Sequence, residues 1–400
     1  MKHRAGLLFG TAALLLAGAA PNVFSQAQPK RDASAAQASA KFAYGGDAAE
    51  IPAQFAGNLV FLPVRFNQSR ASYFLLDSTS ASSSADPGHL TAMGVVPAQP
   101  LVLSLNGVDL PFTSFPAVAR PELGSQTGRI YEGSLGNDFF ERVVVEIDYG
   151  RQTVRLYDPA AYTYSGSGTA FHVTFSGGLP LIQAKFTDAK GKFLEAPFVV
   201  STANDSSAII FDRYAEAHHL LSSHWKTIPS VDPELNNSGT APVSRLKGLQ
   251  LGRYTTEDTL VAFSKSDLPG STDSHIAGII GAAMLSRFTV TFDYPHQQLI
   301  LAPNSRFASD DQEDKSGISV IAKGNALKTF EVVQVNSGSP AARAGVQKGD
   351  IIAGIDEDAA ADLTLSEIRN LFRQVGHKHT LVIDRNGQNK QITVEMKRQI

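Results

Sequence analysis

The chain repeats itself once, and the repeat limits what it can fold into more than any other feature. Gly133-Ser134-Leu135-Gly136-Asn137-Asp138-Phe139-Phe140-Glu141-Arg142 leads into an apolar stretch from Val143 to Ile147, the turn Asp148-Tyr149-Gly150, and a second apolar stretch from Val154 to Tyr157. The same order returns at Gly278-Ile279-Ile280-Gly281-Ala282-Ala283-Met284-Leu285-Ser286-Arg287, then Phe288 to Phe292, Asp293-Tyr294-Pro295 and Leu299 to Leu301. Two copies of Gly-x-apolar-Gly, a short amphipathic helix closed by Arg, a strand and an Asp-Tyr turn are hard to obtain by chance, and they require two lobes on one plan.

What precedes each copy also agrees. Leu59 to Phe66 reads as a strand, Asn67 to Arg70 as a turn, and Tyr73 to Leu76 as a strand that delivers Asp77 into the small hydroxylated run Ser78-Thr79-Ser80-Ala81. A helical turn is expected over Asp86 to Met93. Leu101 to Leu105 and Val108 to Phe112 flank Asn106-Gly107, a strong hairpin signal. Ahead of the second copy, Ala196-Pro197-Phe198-Val199-Val200-Ser201-Thr202-Ala203 aligns with Ser72-Tyr73-Phe74-Leu75-Leu76-Asp77-Ser78-Thr79, so Ser201 falls under Asp77. A second register would use Asp205 in Asp205-Ser206-Ser207-Ala208, with a strand ending in polar or small residues.

An apolar strand ending in Asp, a hydroxyl residue and a small residue resembles the Asp-Thr/Ser-Gly loop of retropepsin-like and pepsin-like aspartic proteases. The resemblance covers roughly residues 50–303. It implies a mainly β, two-lobed aspartic-protease fold of the double-ψ β-barrel type, acting on a polypeptide without metal or organic cofactor. Two carboxyl groups about 3 Å apart cannot both ionise, so in that family one serves as acid while the other is the base on water. Asp77 matches the first catalytic Asp as the water-activating carboxylate, whereas Ser201 stands where the second belongs. Thr79 and Ala203 occupy positions where the family keeps glycine, which leaves room for water and for close backbone approach. Ser78 and Thr202 keep the hydroxyls that, in the family, brace the two loops by hydrogen bonds. The expectation is a retained scaffold with impaired chemistry, because losing one acid/base partner costs about 10²–10⁴ in rate. Two other readings of Asp77 stand beside this one: an Asp that closes a β-turn, and two copies of Asp77 brought together in a dimer.

Residues 304–315, with Ser309-Asp310-Asp311-Gln312-Glu313-Asp314-Lys315, read as an acidic linker. Beyond it, Ser337-Gly338-Ser339-Pro340-Ala341-Ala342-Arg343-Ala344-Gly345-Val346-Gln347-Lys348-Gly349-Asp350-Ile351-Ile352 resembles the central motif of bacterial PDZ domains: a Pro-started helix ends at glycine, and Lys-Gly-Asp turns into a strand. This places an α+β PDZ domain over residues 316–400. The resemblance implies capture of a protein C-terminus or extended segment as an added strand. The groove residues would be Gly317, Ile318, Ser319 and Val320, facing Leu365, Ile368 and Phe372 of a helix capped by Thr364. Ser319 stands where many such loops have glycine. A domain that packs on the lobes of its own chain is the alternative.

At the other end, Lys2, His3 and Arg4 precede an apolar run from Ala5 to about Ala19, with small-residue cleavage candidates at Ala17-Gly18-Ala19 and Val23-Phe24-Ser25. Residues 1–26 are therefore expected to be a Sec-type signal peptide, followed by a flexible linker over 27–50, and the protein to be periplasmic or secreted. The run is shorter than the ~20 residues a membrane span needs. With no cysteine, thiol catalysis, lipoprotein anchoring and thiolate zinc sites are excluded. A net charge of −3 with 18% charged residues lacks the basic excess of a nucleic-acid binder.

Weaker candidates are His218, His219 and His224, which follow an expected helix from Arg213 to Leu221 without carboxylates at zinc-site spacing. There is no Gly-x-Ser-x-Gly elbow for a serine hydrolase and no phosphate-cradling loop. Asn67, Asn204 and Asn236 match the Asn-x-Ser pattern, which matters only in a eukaryotic source. Two functions follow from the resemblance. One is an exported aspartic-type endopeptidase, weak or inactive. The other is a non-catalytic polypeptide-binding scaffold that uses the cleft and the PDZ groove.

Overall fold

A computed structural model describes residues 39–400 except 68, 98, 189, 222–224, 232–239, 266–272 and 312. The expected signal segment, the linker up to residue 38, His224 and Asn236 lie outside the described residues. The chain is mainly β, as its alternating apolar runs require.

The repeat folds as two copies of one unit. In the first, strand Ser72–Leu76 lies parallel to Gly133–Leu135, which pairs antiparallel with Ser84–Ala85. In the second, Phe193–Val200 lies parallel to Gly278–Ile280, which pairs antiparallel with Ala208–Phe211. The glycines of the repeated motif are needed because strands cross closely there. A Cβ on Gly278 would stand 1.8 Å from the Ile209 carbonyl oxygen, one on Gly281 2.2 Å from that of Ser206, and one on Gly133 2.6 Å from that of Ser84. The expected hairpin forms between Leu101–Leu105 and Val108–Phe112, with Asn106 and Gly107 both at positive φ.

The lobes share a six-stranded sheet, ordered Thr169–His172, Gln298–Pro303, Phe288–Asp293, Val144–Asp148, Thr153–Tyr157 and Ala48–Ile51. At its centre Glu146 faces Thr291, its own counterpart in the repeat, so the pseudo-two-fold axis passes through this pair. One continuous apolar cluster fills both lobes, including Phe74, Phe140, Phe198, Phe263 and Phe292. The end of the expected linker is folded: Lys41–Phe42 pairs with the hairpin strand Val108–Phe112, and Ala48–Ile51 closes the shared sheet.

The C-terminal domain has a sheet of Ile318–Lys323, Thr329–Val335, Ile351–Ile355, Lys378–Arg385 and Gln388–Glu395, in that spatial order, over its own core. Helix Pro340–Ala344 is capped by Ser339, whose hydroxyl accepts from the Ala342 amide, and ends at Gly345 with φ 96°. Asp350 of the Lys-Gly-Asp turn is buried and held by Nε and Nη2 of Arg385 at 2.7 and 2.8 Å.

The acidic stretch 304–315 is not a loose spacer. Asp311 accepts from Arg287, Ser207 and the Leu260 amide, each at 2.8 Å. Glu313 takes Arg245 at 2.5 Å and Lys315 at 3.3 Å. A run of carboxylates reads as solvated when the sequence hides the arginines that fold onto it, and here two of those arginines come from the second lobe.

Candidate functional site

Both repeat loops leave their strands in the same way. The Asp77 amide donates to the Leu135 carbonyl and the Ser201 amide to the Ile280 carbonyl, each at 2.9 Å. Ser201 is therefore the structural counterpart of Asp77, and the paired positions carry one carboxylate. Asp205 does not occupy that position. It lies five residues past the end of the strand at Val200, and its Oδ1 accepts from the Asn58 side chain at 2.8 Å and the Asn58 amide at 3.3 Å.

Ser78 and Thr202 tie the loops together in a reciprocal pattern. Thr202 Oγ1 accepts from the Ser78 amide at 3.0 Å and donates to the Leu76 carbonyl at 2.8 Å. Ser78 Oγ accepts from the Thr202 amide at 3.1 Å and donates to the Val200 carbonyl at 2.8 Å. Both residues are fully buried, so every one of these bonds replaces water that cannot enter.

Asp77 is 2% exposed and fully engaged. Its Oδ1 accepts from the Thr79 amide at 3.0 Å and the Thr79 hydroxyl at 2.7 Å. Its Oδ2 receives Arg120 Nη1 at 3.0 Å. Thr79 thus fills, with its hydroxyl, space that glycine would leave open beside the carboxylate. Arg120 escaped the sequence reading because an ion pair across 43 residues leaves no periodic trace. It stands directly before helix Pro121–Thr127, and the chain leading to it is pinned where the Val118 amide donates to the Ala85 carbonyl.

A second polar chain lies behind the first strand. His89 Nε2 is 2.7 Å from Ser72 Oγ, and Nδ1 is 3.8 Å from Glu132, which also accepts from the Tyr73 amide. Ser72 is 1% exposed at the start of a strand, so no substrate reaches its hydroxyl; the chain is a buried tie between strand and loop. His218 and His219 are exposed, and no cluster of three or more His, Asp or Glu suited to a metal occurs among the described residues.

In the C-terminal domain, strand Ile318–Lys323 is the edge of its sheet and helix Leu365–Leu371 packs beside it, with Thr364 and Glu367 in a reciprocal cap. Ile318, Val320, Leu365, Ile368 and Phe372 are buried, and Ser319 is half-buried. Gly317, at φ 80°, has Ser339 2.2 Å from where a Cβ would lie, which only glycine allows. The loop before the edge strand is internally satisfied: Asp314 Oδ1 accepts from the Gly317 amide and the Ser316 hydroxyl, both at 2.6 Å, and Ser316 Oγ accepts from the Ile318 amide at 3.2 Å.

Burial pushes the Asp314 carboxyl up to about 6, against the lowering effect of these donors and of Arg373. A carboxyl raised in the folded state binds its proton more tightly there than in the unfolded chain. Its contribution is present below the ordinary carboxylate range, near 4, and is lost as pH rises through about 6. Asp314→Asn, a permanent stand-in for the protonated form, should therefore melt with the unmodified chain at pH 4 and above it at pH 7. Parallel melting profiles across that range would sink this expectation.

Residues 313–396 match the family model described as PDZ domain, and the C-terminal domain is a PDZ domain. Among solved structures, the chain is similar to the aspartic proteinase from Irpex lacteus at 15% identity, covering 66% of this chain and 98% of that one with a TM-score of 0.39. It is also similar to a photosystem II D1 C-terminal processing protease at 22% identity, over 23% of this chain and 26% of that one, with a TM-score of 0.20. No curated protein matches the chain. No helix among the described residues is long and apolar enough to cross a membrane.

Proposed function

We propose that this chain is an exported protein of the retropepsin-like aspartyl protease type that binds polypeptide in its cleft and PDZ groove without appreciable cleavage. The observation that carries this reading is the state of Asp77. Aspartic peptidase chemistry needs two carboxyls sharing a proton over one water. Here the counterpart is Ser201, and the single carboxylate is committed to Arg120 and Thr79. The bracing of Ser78 and Thr202 keeps the two loops facing each other, so the peptide-holding geometry survives the loss of chemistry. Export follows from the basic, apolar and small-residue succession in residues 1–26.

The test is digestion of denatured protein from pH 3 to 8 by the chain lacking residues 1–26. The expected rate is indistinguishable from that of Asp77→Ala, and a gain of about 10²-fold or more is expected when Ser201→Asp is combined with Arg120→Ala. Cleavage by the unmodified chain that disappears in Asp77→Ala would overturn the reading.

A further inference from the structure

The PDZ groove is covered by the segment that follows Arg120, the partner of Asp77. Helix Pro121–Thr127 of the first lobe packs on the groove strand Ile318–Lys323. Arg369, on the groove helix, donates Nη1 to the Gln126 carbonyl at 2.8 Å and Nη2 to the Val320 carbonyl at 3.1 Å. Val320 is thus spoken for on the edge where an added strand would pair. Gly128 ends the occupying helix at φ 68°, so close to the groove helix that a Cβ there would stand 2.7 Å from Leu365 Cβ. Arg369 is half-buried between the two parts, and this burial depresses its guanidinium below its ordinary value.

The seal is incomplete. A cavity of about 330 Å³ remains, lined among others by Leu123, Thr127, Ile318, Val320, Arg369 and Phe372. The far end of the groove is closed differently: the Gly317 and Ile318 amides, at the start of the edge strand, are satisfied by the Asp314 and Ser316 side chains.

We infer that the PDZ groove recognises internal polypeptide segments rather than chain termini, that residues 120–128 are its ligand in cis, and that a competing segment in trans lifts Arg120 from Asp77. The inference rests on the peptide-binding reading above and adds the ligand class and the consequence of binding. Helix and ion pair are continuous in sequence, Arg120 being the residue before Pro121, so displacing the helix strains or breaks the contact at Asp77. A ligand in trans pays for the cis contact by mass action: if the groove is open in about 1–10% of molecules, its apparent affinity falls about 10–100-fold.

The probe is a fluorescent peptide of residues 117–131, made both as free acid and as amide, titrated into the unmodified full chain, Gly128→Val and Arg369→Gln. Gly128→Val drives the helix off Leu365, and Arg369→Gln removes the bonds to Gln126 and Val320 without adding bulk. Gly128→Val is expected to bind about 10–100-fold more tightly than the unmodified chain, with acid and amide equivalent, whereas Arg369→Gln, which takes the same bonds from the cis and the added segment alike, should gain clearly less. Phenylglyoxal labelling of Arg120, read by mass spectrometry, should rise when peptide is added. Equal binding by Gly128→Val and the unmodified chain would overturn cis occupancy, and about tenfold preference for the free acid would overturn the ligand class. Binding with unchanged Arg120 labelling would overturn the coupling. Should neither this peptide nor a random internal-peptide library bind any chain, while amide exchange in Ser72–Leu76 shows the variants folded, the peptide-binding reading itself falls.

Discussion

Gly278→Ala is expected to destabilise the folded chain by about 3 kcal/mol or more, a large effect for one methyl group. The new Cβ would stand 1.8 Å from the Ile209 carbonyl oxygen, 2.7 Å from its carbon and 2.9 Å from Ile210 Cα, all backbone atoms of the strand antiparallel to Gly278–Ile280. No rotamer change relieves such a contact, so a strand must shift. Strand Gly278–Ile280 supports the second bracing loop through the bond from the Ser201 amide to the Ile280 carbonyl, and a shift there therefore reaches Ser201 and Thr202. Gly46→Ala is the control: φ is −75° and its nearest neighbour is 3.5 Å away, so alanine fits and stability changes by less than about 1 kcal/mol. Chemical denaturation of the two variants decides the matter. A Gly278→Ala midpoint equal to that of Gly46→Ala would show that the crossing strands are looser than these distances require.

This crossing also explains how much of the fold was legible. Gly-x-apolar-Gly recurs because each copy needs two residues without side chains at a strand crossing, and a need that strict leaves the same letters twice. The alignment of residues 196–203 under 72–79 was legible for a related reason. Both strands are buried on two faces, and a one-residue slip would turn polar groups into the core. The PDZ turns were equally plain, since a Pro-started helix, Gly345 at positive φ and the Asp350 turn each demand particular residues.

Pairings between distant segments were not legible. Arg120 meets Asp77, Arg287 meets Asp311 and Arg245 meets Glu313 through the fold alone, so residues 304–315 read as a solvated linker and Arg120 as nothing in particular. Strands Lys41–Phe42 and Ala48–Ile51 are too short to show alternation, and their place is set by the edges they complete. The site was thus half readable: the serine at the position paired with Asp77 shows in the sequence, and the cation on Asp77 does not.

Thr202→Val should cost about 2–5 kcal/mol although the side chain keeps its shape. Valine fills the volume of threonine but leaves the Ser78 amide and the Leu76 carbonyl without their partner at a site with no access to water. Each such orphan costs about 1–3 kcal/mol. Ser78→Ala should cost a similar amount by stranding the Thr202 amide and the Val200 carbonyl. The double variant separates two pictures of the bracing. If the four bonds act independently, the two losses add within about 0.5 kcal/mol. Yet each hydroxyl both donates to and accepts from backbone groups around the opposite loop, and the hydroxyls lie 3.4 Å apart, so removing one lets the loops part and weakens what the other can hold. The double variant should therefore lose clearly less than the sum, by about 1 kcal/mol or more. Strict additivity would mean the loops are held in place by their own strands. Ser78 and Thr202 would then fill hydrogen bonds locally without setting the distance between Asp77 and Ser201.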